Sequence, residues 1–222
     1  MRVLKIIVVV LFALFMAMAI AGMFMPSEWH VERSATMEAR PEVVFEIVNT
    51  GKGWDAWTSW AAEHDPTWSM AIASDKAVGP GTIMKWSSED YGAHSVTLQE
   101  SEPPTRVTYD MYIVKQDMAM TGEVRIEPTS GGAKVTWSES GDVGSDPYAR
   151  LMARLMKGLV EKDFDQGLSH MKDLAEAWEI QEKLRDAKQT ELPEGQAADG
   201  ELTEAPLGGP DALKAPDVGG ER

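Results

Sequence analysis

The most uniform hydrophobic pattern in the chain is an unbroken apolar run from Ile6 to Met25. A helix of about twenty residues is about 30 Å long, which matches the hydrocarbon core of a bilayer. A run of this length without a polar interruption is not typical of a buried helix in a soluble core. The pattern therefore predicts a membrane-spanning helix near the N-terminus.

The charges that flank this run predict its orientation. Arg2 and Lys5 precede the run, and the acidic Glu28 follows it. Because positive flanks stay in the cytoplasm, we expect a single-pass inner-membrane protein with its folded part on the periplasmic or extracytoplasmic side. A cleaved signal peptide is the alternative, since A-x-A sites occur at residues 17–19 and 19–21. The apolar run continues past both sites, which favours an uncleaved anchor.

The pattern after the anchor begins with one strand and two short helices. Residues 30–37 alternate weakly and predict a strand. Pro41 suits the first turn of a helix, and the apolar residues of 43–48 continue it at helical spacing. Tryptophans three residues apart within 54–60 predict a second short helix that packs on the first.

From Thr67 the apolar period changes to two, which predicts strands. A short strand is indicated near residues 68–72. Five further stretches follow, at Ile83–Trp86, Ser95–Gln99, Arg106–Val114, Gly122–Glu127 and Lys134–Glu139. Turn residues separate these stretches, and the short spacings favour an antiparallel meander.

A long helix and a polar tail complete the predicted organisation. Asp146 and Pro147 suit the N-cap and first position of a helix, whose apolar stripe continues to Leu174. From Glu191 onward Pro, Gly, Ala and acidic residues dominate, which predicts disorder. We expect an anchor at 1–26, one domain at 27–180, and a charged helix extension with an acidic tail at 181–222.

Composition excludes several classes of function. The 222 residues carry a formal net charge of −15, and an acidic surface repels phosphate backbones, so nucleic-acid binding is not expected. The chain has no cysteine, which excludes disulfides, thiolate metal ligands and a cysteine nucleophile. His30, His64, His94 and His170 do not have metal-binding spacing, so we expect no metal and no cofactor.

Four short motifs resemble, in order and spacing, those of the START-like (SRPBCC) superfamily. Pro41–Asn49 resembles its P-x-x-V-F motif, and Trp54-x-x-Trp57 its W-x-x-W. The hairpin at residues 126–137 is similar to F-x-P…G-T-x-V-T-W, and Asp163–Leu168 to D-F-x-x-G-L. The branch that the chain resembles, over about 28–177, is that of polyketide cyclases/dehydrases and lipid transport.

The resemblance implies an α+β helix-grip fold, with a curved antiparallel sheet of six or seven strands around a long C-terminal helix. It also implies an apolar cavity between the sheet and that helix. Relatives have Gly-Pro where this chain has Glu-Lys at 161–162, so the shape of the cavity is open. The residues predicted to line it, each of which could instead fill the core, are Trp57, Met84, Trp86, Tyr109, Met111, Trp137, Leu155 and Leu159.

Two residues are candidates for acid–base chemistry. Glu139 follows Val135 and Trp137 at a period of two, so it would point inward with them. A buried carboxylate has a raised pKa and can act as an acid or a base. His94 precedes a predicted strand and is the second candidate. The alternative is that both side chains reach solvent.

Three functions are compatible with the sequence. The first is binding of an apolar small molecule or lipid in the cavity, at the outer face of the membrane. The second is a cyclase or dehydratase that uses the same cavity, with Glu139 or His94 as acid or base. The third is a protein-interaction module that uses the helix extension or the acidic tail.

Overall fold

A computed structural model describes residues 2–58, 65–89 and 92–191, with side chains through residue 187. The predicted α+β helix-grip fold is confirmed, because a seven-stranded antiparallel sheet accompanies a long C-terminal helix and an apolar N-terminal helix. Trp60, His64 and the tail after Glu191 lie outside the described residues.

The helices and strands follow the order that the hydrophobic pattern predicts. In chain order they are α1 (Arg2–Met23), β1 (Glu28–Met37), α2 (Pro41–Val48), α3 (Gly51–Thr58), β2 (Ser69–Ile72), β3 (Ile83–Ser88), β4 (Gly92–Glu102), β5 (Arg106–Ile113), β6 (Met118–Thr129), β7 (Gly132–Asp142) and α4 (Pro147–Glu191). A 3₁₀ turn at Val114–Gln116 joins β5 to β6.

The sheet is an antiparallel meander to which β1 adds at one edge. Strands β2 to β7 pair in sequence, and β1 pairs with β7, which gives the order β1-β7-β6-β5-β4-β3-β2. Side chains alternate across the sheet, so that Val107, Tyr109 and Met111 of β5 share one face. Helices α2 and α3 and part of α4 pack on that face.

Helix α4 divides into a core half and an exposed half. Its later turns bury Phe164, Leu168, Met171 and Ala175 against the sheet and α2. Its earlier turns leave an apolar stripe exposed, which consists of Met152 (48%), Leu155 (62%), Met156 (43%) and Leu159 (51%). Asp146 caps the helix, since its carboxylate accepts the N–H of Tyr148 at 2.8 Å.

An ion pair between the half-exposed Arg40 and the buried Glu179 fixes the core half of α4. Glu179 is 2% exposed and accepts the side-chain Nε–H of Arg40 at 3.0 Å and its backbone N–H at 3.3 Å. Arg40 also pairs with Glu182 one turn later. Because Arg40 lies at the start of α2, these bonds hold α4 against the end of β1 and fix its direction across the sheet.

Helix α1 is long and apolar enough to span a membrane, a property that a signal sequence shares. It meets the domain at the first turn of α4. A Cβ at Gly22 would lie 2.0 Å from the carbonyl oxygen of Pro147, so only glycine permits this approach. The ring of Phe15 stacks on Tyr148 at 4.7 Å. The buried core of the described chain contains no α1 residue, so the domain core is complete without α1.

Candidate functional site

A cavity of about 730 Å³ lies between the sheet and the first half of α4. Its wall consists mainly of apolar and aromatic side chains from α3, six of the strands and α4. They include Trp29, Trp54, Trp68, Trp86, Val96, Met111, Met120, Trp137, Met152, Ala153, Met156, Val160 and Phe164. The polar wall residues include His94, Asp117, Glu139, Asp142, Lys157 and Asp163.

Glu139, one of the polar wall residues, lies in a row of the sheet with two residues behind the wall. Tyr109 of β5 pairs with Gly122 of β6, and Gly122 pairs with Glu139 of β7. A Cβ at Gly122 would lie 2.0 Å from Cζ of Tyr109. The phenol ring therefore occupies the space that any other side chain would take, and it reaches across β6 to Glu139. A strand glycine marks such a close approach.

Tyr109 links Glu139 to a tryptophan. Its hydroxyl donates to Oε1 of Glu139 at 2.6 Å and accepts the indole Nε1–H of Trp137 at 2.6 Å. The two hydrogen bonds therefore form a chain that runs from Trp137 through Tyr109 to the carboxylate. The indole ring of Trp137 stacks on Phe164 of α4 at 3.7 Å, so the network lies where the core of the domain meets the cavity.

Burial changes the ionisation of this network. It raises the pKa of Glu139 from 4.5 to about 7, and the hydrogen bond from Tyr109 opposes the shift. Burial and the nearby carboxylate raise the pKa of Tyr109 well above 10, so Tyr109 stays a donor. The carboxyl group of Glu139 therefore ionises near neutral pH. It does so although only 5% of the residue is exposed.

His94 belongs to another part of the wall. Its ring stacks on Trp86 with centroids 5.6 Å apart, and Trp68 lies 5.2 Å away. Burial lowers the pKa of His94, so the imidazole is neutral at neutral pH. The hydrogen bonds of the described residues do not connect His94 to Glu139, which separates the two candidates for acid–base chemistry.

The structure brings half of the predicted site residues together. Trp86, Met111, Trp137, His94 and Glu139 line the cavity. Trp57, Met84 and Tyr109 are at most 1% exposed and lie in the core behind the wall. This is the position expected of residues that fill the core rather than line the cavity. Tyr109 still affects the cavity, because its hydroxyl donates to Glu139.

The structure places Leu155 and Leu159, which were predicted to line the cavity, outside its wall. Both are exposed, and neither belongs to the wall. The cavity side of the helix instead carries Ala149, Ala153 and Val160. The apolar stripe was broad enough to support either face, and the sequence did not reveal which face meets the sheet.

Sequence analysis missed several residues of the wall. Trp29, Trp54, Trp68 and Phe164 line the cavity, and Gly122 makes room for Tyr109. An isolated glycine in a strand was a usable signal, because it often marks close approach. The hydrophobic pattern alone did not distinguish the other four as cavity residues.

A second hollow of about 820 Å³ lies on the other face of the sheet. Its wall includes His30, Ser95, Thr97, Asp110 and Thr121, which are polar or charged. This hollow is therefore less suited to an apolar ligand than the cavity under α4. Among the described residues, no group of three His, Cys, Asp or Glu side chains could hold a metal ion.

Comparison with known proteins agrees with the geometry. A family model described as polyketide cyclase/dehydrase and lipid transport matches residues 28–176. No curated protein matches the sequence. The match includes all seven strands and the half of α4 that borders the cavity.

Solved structures share the fold at low identity. Protein MLL2253 from Mesorhizobium loti is 14% identical, with a TM-score of 0.50 over 66% of this chain and 96% of that one. The di-domain aromatase/cyclase StfQ of the steffimycin pathway is 12% identical, with a TM-score of 0.50 over 68% of this chain and 52% of that one.

We expect Gly122→Ala to displace the Tyr109 ring, because the new methyl group would overlap it. Overpacking of this kind costs about 1–3 kcal/mol of the free energy of unfolding. Urea denaturation measures the loss. Gly131→Ala is the matched control, since nothing lies within 4 Å of its Cβ position. Equal losses in the two variants would contradict the role of Gly122.

Glu139 should make stability depend on pH. Between its ordinary pKa of 4.5 and its folded value of about 7, the folded state holds a proton that the unfolded state has released. Stability therefore falls as pH rises through this window, by about 3 kcal/mol. We expect Glu139→Gln to remove this fall.

Denaturation at about pH 5 and pH 8 measures the effect. Glu127→Gln, an exposed carboxylate on the neighbouring strand, is the control and should keep the fall. An unchanged pH dependence in Glu139→Gln would show that the carboxyl ionises freely in the folded protein.

Proposed function

Because the chain belongs to the polyketide cyclase/dehydrase and lipid-transport family, we propose that it binds an apolar small molecule or lipid in the cavity under α4. The cavity itself is the observation that carries this proposal. Its volume of about 730 Å³ falls in the range of about 300–1,000 Å³ that small-molecule sites have. Its wall is mostly apolar, with few polar groups, which suits an apolar ligand that one head group orients.

The proposed place of binding is the outer face of the membrane. Arg2 and Lys5 favour a cytoplasmic N-terminus, and α1 serves as an uncleaved anchor. The first turn of α4 contacts α1 at Gly22, and Ala149 of that turn and Ala153 of the next line the cavity. The cavity therefore lies beside the anchor, so an apolar molecule leaving the bilayer would have a short path into it.

The exposed stripe of α4 supports the same placement. Leu155 and Leu159, which lie outside the cavity wall, present exposed apolar side chains on the same half of α4 that contacts α1. A contiguous apolar surface marks a protein or membrane contact. We assign it to the bilayer, because α1 would hold this end of α4 at the membrane surface.

An enzyme is the second candidate, and Glu139 favours it. The carboxyl lies in the cavity wall with a pKa of about 7, which suits a general acid or base at neutral pH. A cyclase or dehydratase could use it on a ligand bound in the same place. Mass spectrometry of molecules extracted from the purified protein distinguishes the two, because an enzyme would yield a substrate and product pair.

Filling the cavity should abolish binding without unfolding the domain. We expect the fragment 27–191 to bind a fluorescent fatty acid or a similar apolar probe in the micromolar range, about −8 kcal/mol. Ala153→Trp places an indole in the cavity, so probe fluorescence should lose its saturable phase. Trp86→Ala and Trp137→Ala should also weaken binding, since both remove part of the wall.

Leu155→Trp is the control, because Leu155 is exposed and outside the cavity. It should bind as the unmodified fragment does. Thermal unfolding of each variant checks that the fold persists at the assay temperature. The absence of saturable binding by any apolar probe would remove the pocket from consideration and favour a protein-interaction module.

Topology can be tested with reporter fusions. An alkaline phosphatase fused after Arg222 should be active, because this enzyme needs the periplasm to fold. A β-galactosidase at the same point should be inactive. The reverse pair of activities would place the domain in the cytoplasm and contradict the outer-face proposal.

A further inference from the structure

Glu139 has an oxygen that the protein leaves for a ligand. An ionised carboxylate has two oxygens and about four acceptor positions. Among the hydrogen bonds of the described residues, Glu139 accepts one, from Tyr109 to Oε1. The hydroxyl of Tyr109 has a single proton, so it cannot serve Oε2 as well. Glu139 is only 5% exposed, and it lines the cavity.

The described protein supplies no cation to this carboxylate. Among the described wall residues Lys157 is the one lysine or arginine, and it pairs with Glu161 on its own helix at 4.0 Å. His94 on β4 is neutral, since burial lowers its pKa. Asp117, Asp142 and Asp163 are the other acidic groups of the wall, from the turn before β6, β7 and α4.

The wall of the cavity is therefore acidic and aromatic. It has four carboxyl groups and one lysine in the part that the structure describes. Trp54 and Phe164 contribute rings to the same wall, where Trp54 lies 4.9 Å from Tyr109 and Phe164 stacks on Trp137. Aromatic faces attract cations, and an acidic wall repels anions. Both effects favour a ligand with a cationic head group.

We propose that the ligand is an apolar molecule with an ammonium head group, and that this group donates a hydrogen bond to Oε2 of Glu139. The proposal rests on the proposed binding function and names its ligand class. The apolar part of the ligand fills the space between the sheet and α4. The ammonium completes a chain of donors and acceptors that begins at Trp137 and passes through Tyr109.

Three probes with the same alkyl chain test the head group. Decylamine, decanol and decanoic acid differ only in the group that would meet Glu139. Calorimetric titration of the fragment 27–191 at about pH 8 compares them. We expect decylamine to bind about tenfold tighter than decanol, and decanoic acid to bind weakest, because a charge-assisted hydrogen bond is the stronger one.

The pH dependence separates the charge of Glu139 from simple partitioning. Between about pH 5.5 and pH 8 the amine stays protonated while Glu139 ionises. Affinity for decylamine should rise over this range, whereas affinity for decanol should change little. Asp163 has a pKa that burial raises, and Asp163→Asn checks whether it contributes to the rise.

Glu139→Gln tests the residue itself. Glutamine keeps the shape and can still accept the Tyr109 hydroxyl, so decanol affinity should stay within about threefold. Decylamine affinity should fall about tenfold, because the charge of the acceptor is lost. Glu127→Gln is the matched control on β6 and should change neither affinity.

The outcomes distinguish this proposal from the proposed function. If none of the three probes binds, the binding function fails. If decanol or decanoic acid binds as tightly as decylamine, the ammonium preference is wrong and the cavity remains a binding site. If Glu139→Gln still binds decylamine more tightly than decanol by the same factor, the assigned role of Glu139 is wrong and the cavity remains a binding site. If that variant does not fold, the probe series on the unmodified fragment decides.

Discussion

The candidate site depends on one constraint, which is that residue 122 has no side chain. Gly122 lies between Tyr109 and Glu139 in a row across β5, β6 and β7. The Tyr109 ring uses the space above it and donates to Glu139 at 2.6 Å. Without that bond the carboxylate would be buried with no described partner, at a cost that proteins avoid. The glycine therefore makes it possible to keep a carboxyl group in an aromatic wall.

Helix α4 gives the cavity its depth because its later turns pack in the core while its earlier turns border the cavity. Arg40 and Glu179 fix the later turns, where Phe164 and Leu168 complete the core. The earlier turns carry small residues such as Ala153 toward the sheet and leave the volume unfilled. A helix that packed over its whole length would close the cavity, so the size of the site follows from where large side chains stop along α4.

Much of the fold could be predicted from local patterns, because period and turn chemistry are local. Proline at position 41, the change to a period of two after Thr67 and the Asp146 cap each predicted an element that the structure has. Strand parity offered an inward position for Glu139 beside a solvent-facing alternative, and the structure buries the residue. Leu155 was misplaced because an exposed apolar stripe and a buried one have the same spacing. The partnership of Tyr109 with Glu139 joins residues thirty positions apart through a third strand, which no local pattern contains.

The direction of the hydrogen bonds bears on whether Glu139 binds or catalyses. Trp137 donates to Tyr109 and Tyr109 donates to Glu139, so both donors support the charged carboxylate. Tyr109 does not release its proton near neutral pH, since burial raises its pKa well above 10. Tyr109 therefore does not itself act as an acid toward Glu139 near neutral pH. An acid–base role would therefore require the ligand or cavity water to return each proton. Holding a donor group on Oε2 requires nothing beyond the geometry that the sheet already provides.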